Sequence, residues 1–247
     1  MKLRFLHLAD VFLGCQNLCL GEQARQRSDD FRDSFRSAIE FALDDANAID
    51  GVLLAGNTFD HHRPDEETWS FFRGLVSRLL ARNRLVVATP GFRDSYAYKH
   101  SVWRTERVPG VDLFLNTDPE APVVHEIRGT RVFFHGLTYV PGQTPEPLPA
   151  LECPNESGVN IALLAGSTRQ HPLFDEHPNR LTLDADSLAA TPFNYVALGG
   201  QGQFHEYSQQ GSTIVEAGSL EGRGFDLCDL GDKGPVIVEI TDSGTQH

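Results

Sequence analysis

Three aspartates in this chain of 247 residues each stand just past a short apolar run: Asp10 after residues 3–8, Asp60 after residues 52–55, and Asp94 after residues 85–88. His61 and His62 follow Asp60 directly, and Asn57 and Arg93 lie in the same loops. Carboxylates beside imidazoles are a ligand set for a divalent cation, and a bound cation can activate a water. That chemistry needs at least three of these donors to converge on one point. The run 52–55 is continuous, is broken by Gly56 and empties into polar residues, as a buried parallel strand does. In open α/β sheets the sites lie in the crevice beyond the carboxyl ends of such strands, which is where Asn57 and Asp60 fall.

The rest of the chain supplies elements to hold those loops. Residues 3–8 predict a first strand ending at Ala9-Asp10, and 14–21 a loop. Phe31, Phe35, Ile39 and Ala42 recur at helical spacing, so a long amphipathic helix is predicted over 24–48. Pro64-Asp65-Glu66-Glu67 opens a second helix with acids in its first turn, where the helix dipole favours them. Its buried stripe is Trp69, Phe72, Leu75, Val76, Leu79 and Leu80. The strand 85–88, stopped by Pro90-Gly91, completes a β-α-β-α-β series and predicts a parallel sheet. Further strands are predicted at 111–115, Val123–Ile127, 131–134, 159–164, 194–198, 213–216 and 236–240, the last two closing the sheet. Residues 206–211 read as a hairpin turn. Residues 141–154 carry five of the 14 prolines and read as a surface loop or lid. One α/β domain over 1–247 is the economical expectation.

Composition narrows the partners. Hydrophobic content of 40% and charged content of 22% are ordinary for a soluble globular protein. No apolar run approaches the ~18 residues of a membrane span, and the apolar stretch in MKLRFLHLAD is too short and too early for a signal peptide. Cys15, Cys19, Cys153 and Cys228 make no metal or disulfide spacing and read as reduced thiols, so a cytoplasmic protein with no membrane partner is expected. The net charge of −13 disfavours nucleic acid, whose binders usually present a basic face. Arg25, Arg27, Arg32 and Arg36 fall in one segment, either a local basic patch or a solvated helix face.

Five loops follow strands in a fixed order: His7–Gly14, Gly56–Asp60, Pro90–Asp94, Leu163–Ser167 and Ala197–Gly202. Together with Val132–Tyr139, Ala217-Gly218-Ser219-Leu220-Glu221 and Lys233-Gly234, this order resembles the calcineurin-like metallophosphoesterases, and among them the SbcD-type DNA repair exonucleases, over essentially the whole chain. The resemblance implies an α/β sandwich of two packed mixed β-sheets flanked by helices. It implies two divalent cations, typically manganese, held by carboxylates, imidazoles and an amide oxygen in the order Asp-x-His, Gly-Asp-x-x-Asp, Gly-Asn-His-Asp, a lone His and Gly-His-x-His.

Against that pattern Asp10 alone is unchanged among the ligand positions. The first-motif His is Phe12, the bridging carboxylate is Asn57 and the amide ligand is Phe92. The lone His is Ala165, the last two are Gly200 and Gly202, and the catalytic His is Arg93. Losing even one outer partner of a metal site costs roughly 10–100-fold in affinity or activity. No metal, cofactor or catalytic residue is therefore expected, and the cleft remnants are Asp10, Asp60, Arg93 and Asp94. Arg93 could place a permanent cation near Asp10, Asp60 or Asp94 in the metal's stead. The expected protein is a catalytically inactive structural or binding module, linked through the resemblance to DNA repair. The alternatives are a weak one-metal phosphoesterase using Asp10, Asp60, Asp94 and His61 or His62, and a nucleic-acid-binding module that does not cut.

The resemblance implies self-pairing and an SbcC-type ATPase as partners, although neither the capping domain nor the ATPase-binding tail of such nucleases is evident within 1–247. A spare aromatic among Phe31, Trp69 and Phe72 would mark an interface. His7, on a buried strand, reads as a core histidine. His171, His177 and His205 have no motif context, and Ser167 and Ser219 sit in no nucleophile elbow.

Overall fold

Each of the first three strands carries apolar residues on both faces, and the structure uses both. In the strand β1 (Lys2–Leu8), Leu3 and Phe5 face one layer while Leu6 and Leu8 face another. The strands β2 (Gly51–Ala55) and β3 (Leu85–Thr89) repeat this: Leu53, Ala55 and Val87 join the first layer, and Val52, Leu54, Val86 and Ala88 the second. The second layer is closed by the helices α1 (Ala24–Leu43) and α2 (Glu66–Ala81) and by a short helix α3 (Val102–Thr105). The first layer is closed by another sheet. This computed structural model describes residues 2–145, 153, 157–209 and 212–247.

The first sheet places β1, β2, β3 and a two-residue β4 (Asp112–Leu113) in parallel. The second is built from β5 (Val123–Ile127), β6 (Thr130–Leu137), β7 (Val159–Thr168), β8 (Leu181–Leu183), β9 (Tyr195–Gly199), β10 (His205–Gln209) and β11 (Ser212–Glu216). Its path is β10-β11-β9-β7-β6-β5, with β8 beside the end of β7. A helix α4 (Ala185–Ala189) covers its outer face through Leu188 and Ala189. The strands β12 (Val236–Thr241) and β13 (Gly244–Gln246) return to the first sheet, β12 antiparallel to β1. The chain is thus the expected sandwich of two mixed sheets, but 213–216 and 236–240 close different sheets, not one.

Several boundaries differ from the sequence reading for local reasons. The helix predicted to reach residue 48 ends at Leu43, because Asp44 is extended and its carboxylate accepts the Ala46 N–H at 3.0 Å, opening a 3-10 turn over Asp45–Asn47. The second helix begins as its acids suggest: Asp65 accepts the Thr68 N–H at 2.8 Å, which holds its carboxyl below the usual range. β7 runs on through Ala165 and Gly166 to Thr168. A Cβ at Gly166 would stand 2.6 Å from the Leu181 carbonyl oxygen, so glycine there admits β8 and does not end the strand. Phe31, Trp69 and Phe72 are all buried, and none is left over to mark an interface.

Of the four arginines in that segment, Arg27, Arg32 and Arg36 are paired with Asp30, Glu67, Asp33 and Glu221, so those three sit on a charge-paired helix face. Residues 146–152 and 154 of the proline-rich stretch lie outside the described residues, as do 155, 156, 210 and 211. Residues 206–209, read from sequence as turn, instead belong to the strand β10, paired antiparallel with β11. No helix among the described residues is long and apolar enough to cross a membrane.

Candidate functional site

The carboxyl ends of β1, β2, β3 and β9 meet where the two sheets touch, and Asp10 ties them together. Its carboxylate accepts the Asn57 amide at 2.6 Å from the first sheet and the Gly200 N–H at 3.1 Å from the second. The Asn57 side-chain oxygen accepts the Arg93 N–H at 2.9 Å. Gly91 makes room for that amide: a Cβ there would lie 2.3 Å from the Asn57 side-chain oxygen. The loops after β1 and β2 are zipped by bonds from Phe12 N–H to Asn57 O, Leu13 N–H to Thr58 O and Asp60 N–H to Leu13 O, at 2.9–3.0 Å.

This scaffold is strained. Asp10, Phe12 and Asn57 all have positive φ, of 50°, 54° and 49°. Such conformations in residues other than glycine cost on the order of 1–3 kcal/mol each and persist only where the surroundings over-determine them. Burial also tells: Asp10 is fully enclosed, and desolvation pushes its carboxyl up to about 6 despite the bonds from Asn57 and Gly200.

The opening in front of Asp10 is a cleft of about 580 Å³. Phe12, Phe92, Arg93, Arg180 and Arg223 line it together with the segment 226–229. Arg93 and Arg223 converge on one oxygen of Asp60, at 3.3 and 2.9 Å. The Arg223 guanidinium lies over the Phe12 ring, 4.7 Å from its centroid, and Arg93 lies 5.9 Å from it. Arg180, almost wholly buried, donates to Gly200 O at 2.9 Å and to Gln201 at 3.0 Å, and pairs with Asp175 at 2.5 Å. Asp94 is buried apart from these cations. It accepts the Gly91 N–H at 2.7 Å and the Phe59 N–H at 3.2 Å, and burial pushes its carboxyl up to about 6.

So of the four remnants named from sequence, Asp10 and Arg93 line the cleft, Asp60 is held by the arginines, and Asp94 braces two loops from within. Arg93 pairs with Asp60 and not with Asp10 or Asp94. Ala165 is buried in β7 beside Gly199, and Gly200 and Gly202 line the cleft wall. His61 packs tilted on His62, and His62 stacks on the exposed Tyr98, with centroids 4.1 and 4.0 Å apart. That stack lies outside the cleft lining. His7 is a core histidine that meets the Tyr195 hydroxyl at 2.9 Å, and burial lowers its imidazole to about 3.

His171 lies edge-on to His205, and His177 packs on Phe92. Arg180 and Arg223 escaped the sequence reading. No spacing announces Arg180; Arg223 stands two residues past the quoted stretch that ends at Glu221, the one signal available for it.

The residues present do not fit the two cations the fold family implies. Asn57 turns an N–H donor, not an oxygen, toward Asp10. The Phe12 ring stands at a ligand position with a guanidinium on its face. Among the described residues no three His, Cys, Asp or Glu side chains are grouped to hold a metal ion. The clasp on Asp60 supplies positive charge of its own. Arg223→Met should lower stability by about 1–2 kcal/mol in urea unfolding, between the values for exposed and buried ion pairs. An unchanged midpoint would show the clasp to be incidental.

No protein-family model matches the chain. It is 27% identical over 228 residues to the DNA double-strand break repair protein Mre11 of Thermoplasma acidophilum, an alignment covering 87% of this chain and 56% of that protein. It is 30% identical over 146 residues to the Mre11 of Methanopyrus kandleri, covering 56% of this chain and 31% of that one. The chain thus spans about half the length, or less, of these curated relatives. Its structure resembles the NAD nucleotidase of Haemophilus influenzae, with a TM-score of 0.54 at 10% identity, over 100% of this chain and 49% of that one. It also resembles a candidate 5′-nucleotidase of Staphylococcus aureus, with a TM-score of 0.52 at 9% identity, over 100% and 53%. The chain has the fold of the calcineurin-like metallophosphoesterases, and DNA double-strand break repair proteins are among the proteins it is similar to.

Proposed function

We propose that this metallophosphoesterase-type chain has given up phosphoester hydrolysis and acts as a structural or binding module, in the setting of DNA repair. One observation carries the reading: the Asn57 amide and the Gly200 N–H hold the Asp10 carboxylate. In the family pattern that group faces metal. The strained backbone at Asp10, Phe12 and Asn57 supports a cleft kept in shape for a purpose other than cutting. Replacing a metal-bound constellation with hydrogen bonds and an arginine clasp preserves the loop geometry while removing the activated water.

We read 1–247 as one cytoplasmic domain that works through protein contacts, either with a second copy or with an SbcC-type ATPase. A net charge of −13 supports protein over nucleic acid as the partner. The test is calorimetric titration of the metal-stripped protein with manganese at neutral pH, followed by a phosphodiesterase assay on bis(4-nitrophenyl) phosphate with manganese present. No saturable heat up to millimolar metal and no turnover above the buffer rate are expected. Micromolar binding with turnover that Asp10→Ala abolishes would restore the enzyme reading.

A further inference from the structure

Four of the six exposed large apolar side chains among the described residues lie on one loop or on the segment bonded to it through Gln203, where the Phe204 ring packs on His247. They are Phe225 (87% exposed), Leu227 (68%), Leu230 (46%) and Phe204 (46%). Three of them project from six consecutive residues on one loop. That loop is tightly held. Lys233 donates to Cys228 O at 2.7 Å and to Gly202 O at 2.5 Å, Gln203 donates to Leu227 O at 2.5 Å, and Arg223 N–H bonds Asp229 at 3.1 Å. A short 3-10 turn over Leu227–Asp229 completes it. The backbone is therefore fixed while the apolar side chains face water, an arrangement that marks interaction sites on soluble proteins.

Charge says what sort of surface fits. Asp226 and Asp232 alternate with the apolar residues, and no cationic side chain is bonded to either among the described residues. The loop's own cations are occupied: Arg223 clasps Asp60, and Lys233 caps carbonyl oxygens. Glu221 is answered by Arg27 from α1. An apolar ridge interleaved with unanswered carboxylates repels anionic lipid and nucleic acid alike. It also repels a second copy carrying the same carboxylates. We propose that this ridge docks a protein segment whose apolar side chains are bordered by lysine or arginine, such as a basic amphipathic helix. Because 226–229 also line the cleft, a partner seated there would cover the cleft mouth. The inference stands apart from the loss of catalysis and survives either outcome of the manganese titration.

The probe is a labelled 18-residue peptide of leucine and lysine with leucines at i, i+3, i+4 and i+7 spacing. Its control has the same composition with the leucines scattered. Fluorescence anisotropy with the full chain should show saturable binding of the patterned peptide at least tenfold tighter than the control. Phe225→Ser with Leu227→Ser, which leaves the charge unchanged, should weaken it at least tenfold. Asp226→Asn with Asp232→Asn should weaken it and flatten its salt dependence. Both apolar positions face solvent, so the serine variant keeps its melting temperature. Hydrogen exchange on the unmodified protein should show peptide-induced protection over 223–231. Equal binding of the control, full binding by the serine variant, or protection confined elsewhere would each overturn the proposal. So would self-association that the serine variant abolishes, which would assign the ridge to a second copy, or preferential binding to phosphatidylserine vesicles.

Discussion

Gly199→Val should cost about 3 kcal/mol or more, the upper end of what overpacking does in a core. Gly199 ends β9 on the face shared with the first sheet. A Cβ built there would stand 2.0 Å from the Ala55 carbonyl oxygen and 2.5 Å from the Ala9 Cβ. The first of those neighbours is backbone at the paired carboxyl end of β2, so no rotamer change relieves the clash. Relief requires the two sheets to part just where Asp10 bridges them to Gly200. The melting temperature should fall by roughly 6–12 °C, given about 2–4 °C per kcal/mol for a chain of this size. Gly74→Ala is the contrast: nothing lies within 4 Å of its Cβ position on the exposed side of α2. There the substitution should stabilise by about 0.5–1 kcal/mol, the difference between glycine and alanine in a helix interior. Differential scanning calorimetry separates the two, and a Gly199 variant that melts with the wild type would refute the close approach.

The same glycine shows why the layers were easy to read and the contacts between them were not. Continuous apolar runs such as 52–55 mark strands buried on both faces, and helical spacing in Trp69, Phe72, Leu75, Val76 and Leu79 marks the helix that covers one of them. Those signals are periodic and survive in one dimension. The split into two sheets is not periodic: β12 joins β1 and β11 joins β9, although the two strands follow each other in the chain. The extent of β7 has the same origin: Gly166 reads as a stop in sequence but serves a neighbouring strand 15 residues away.

At the cleft, motif order placed Asp10, Asn57, Gly91 and Gly200 on converging loops, and the structure brings them together. What the motifs lacked was the replacement chemistry. Of the three carboxylates that Arg93 could meet by sequence, the structure gives it Asp60, through one oxygen that it shares with Arg223. A guanidinium spans far more than one residue of chain, so its partner is set by packing on Phe12, which no spacing rule encodes. Asp94 matched its motif position too, yet its carboxylate serves two backbone N–H groups and nothing in the cleft.

That role for Asp94 gives a pH-dependent expectation with a change of sign. Its carboxyl ionises near 6 in the folded protein, against 3.8 as the ordinary value. A carboxyl raised on folding contributes stability that is complete below the unfolded value and is lost as pH rises through the folded one. Of the roughly 3 kcal/mol that separates the two values, at 1.36 kcal/mol per pH unit, the folded state should therefore lose about 2 kcal/mol at this residue from pH 4 to pH 6.5. Asp94→Asn removes that dependence. It also leaves one carbonyl oxygen to serve the Gly91 and Phe59 N–H groups, which costs about 1–3 kcal/mol at every pH. The variant should be the less stable protein at pH 4 and equal or more stable at pH 7. His7, lowered to about 3, adds the opposite slope and cancels in the difference between wild type and variant; Asp10 ionises near the same pH and adds a parallel slope, part of which goes with the Asp94 charge that helps to raise it, so the variant loses that part too. Urea unfolding at pH 4 and pH 7 measures that difference, and parallel curves for the two proteins would mean that Asp94 is not a desolvated carboxyl at all.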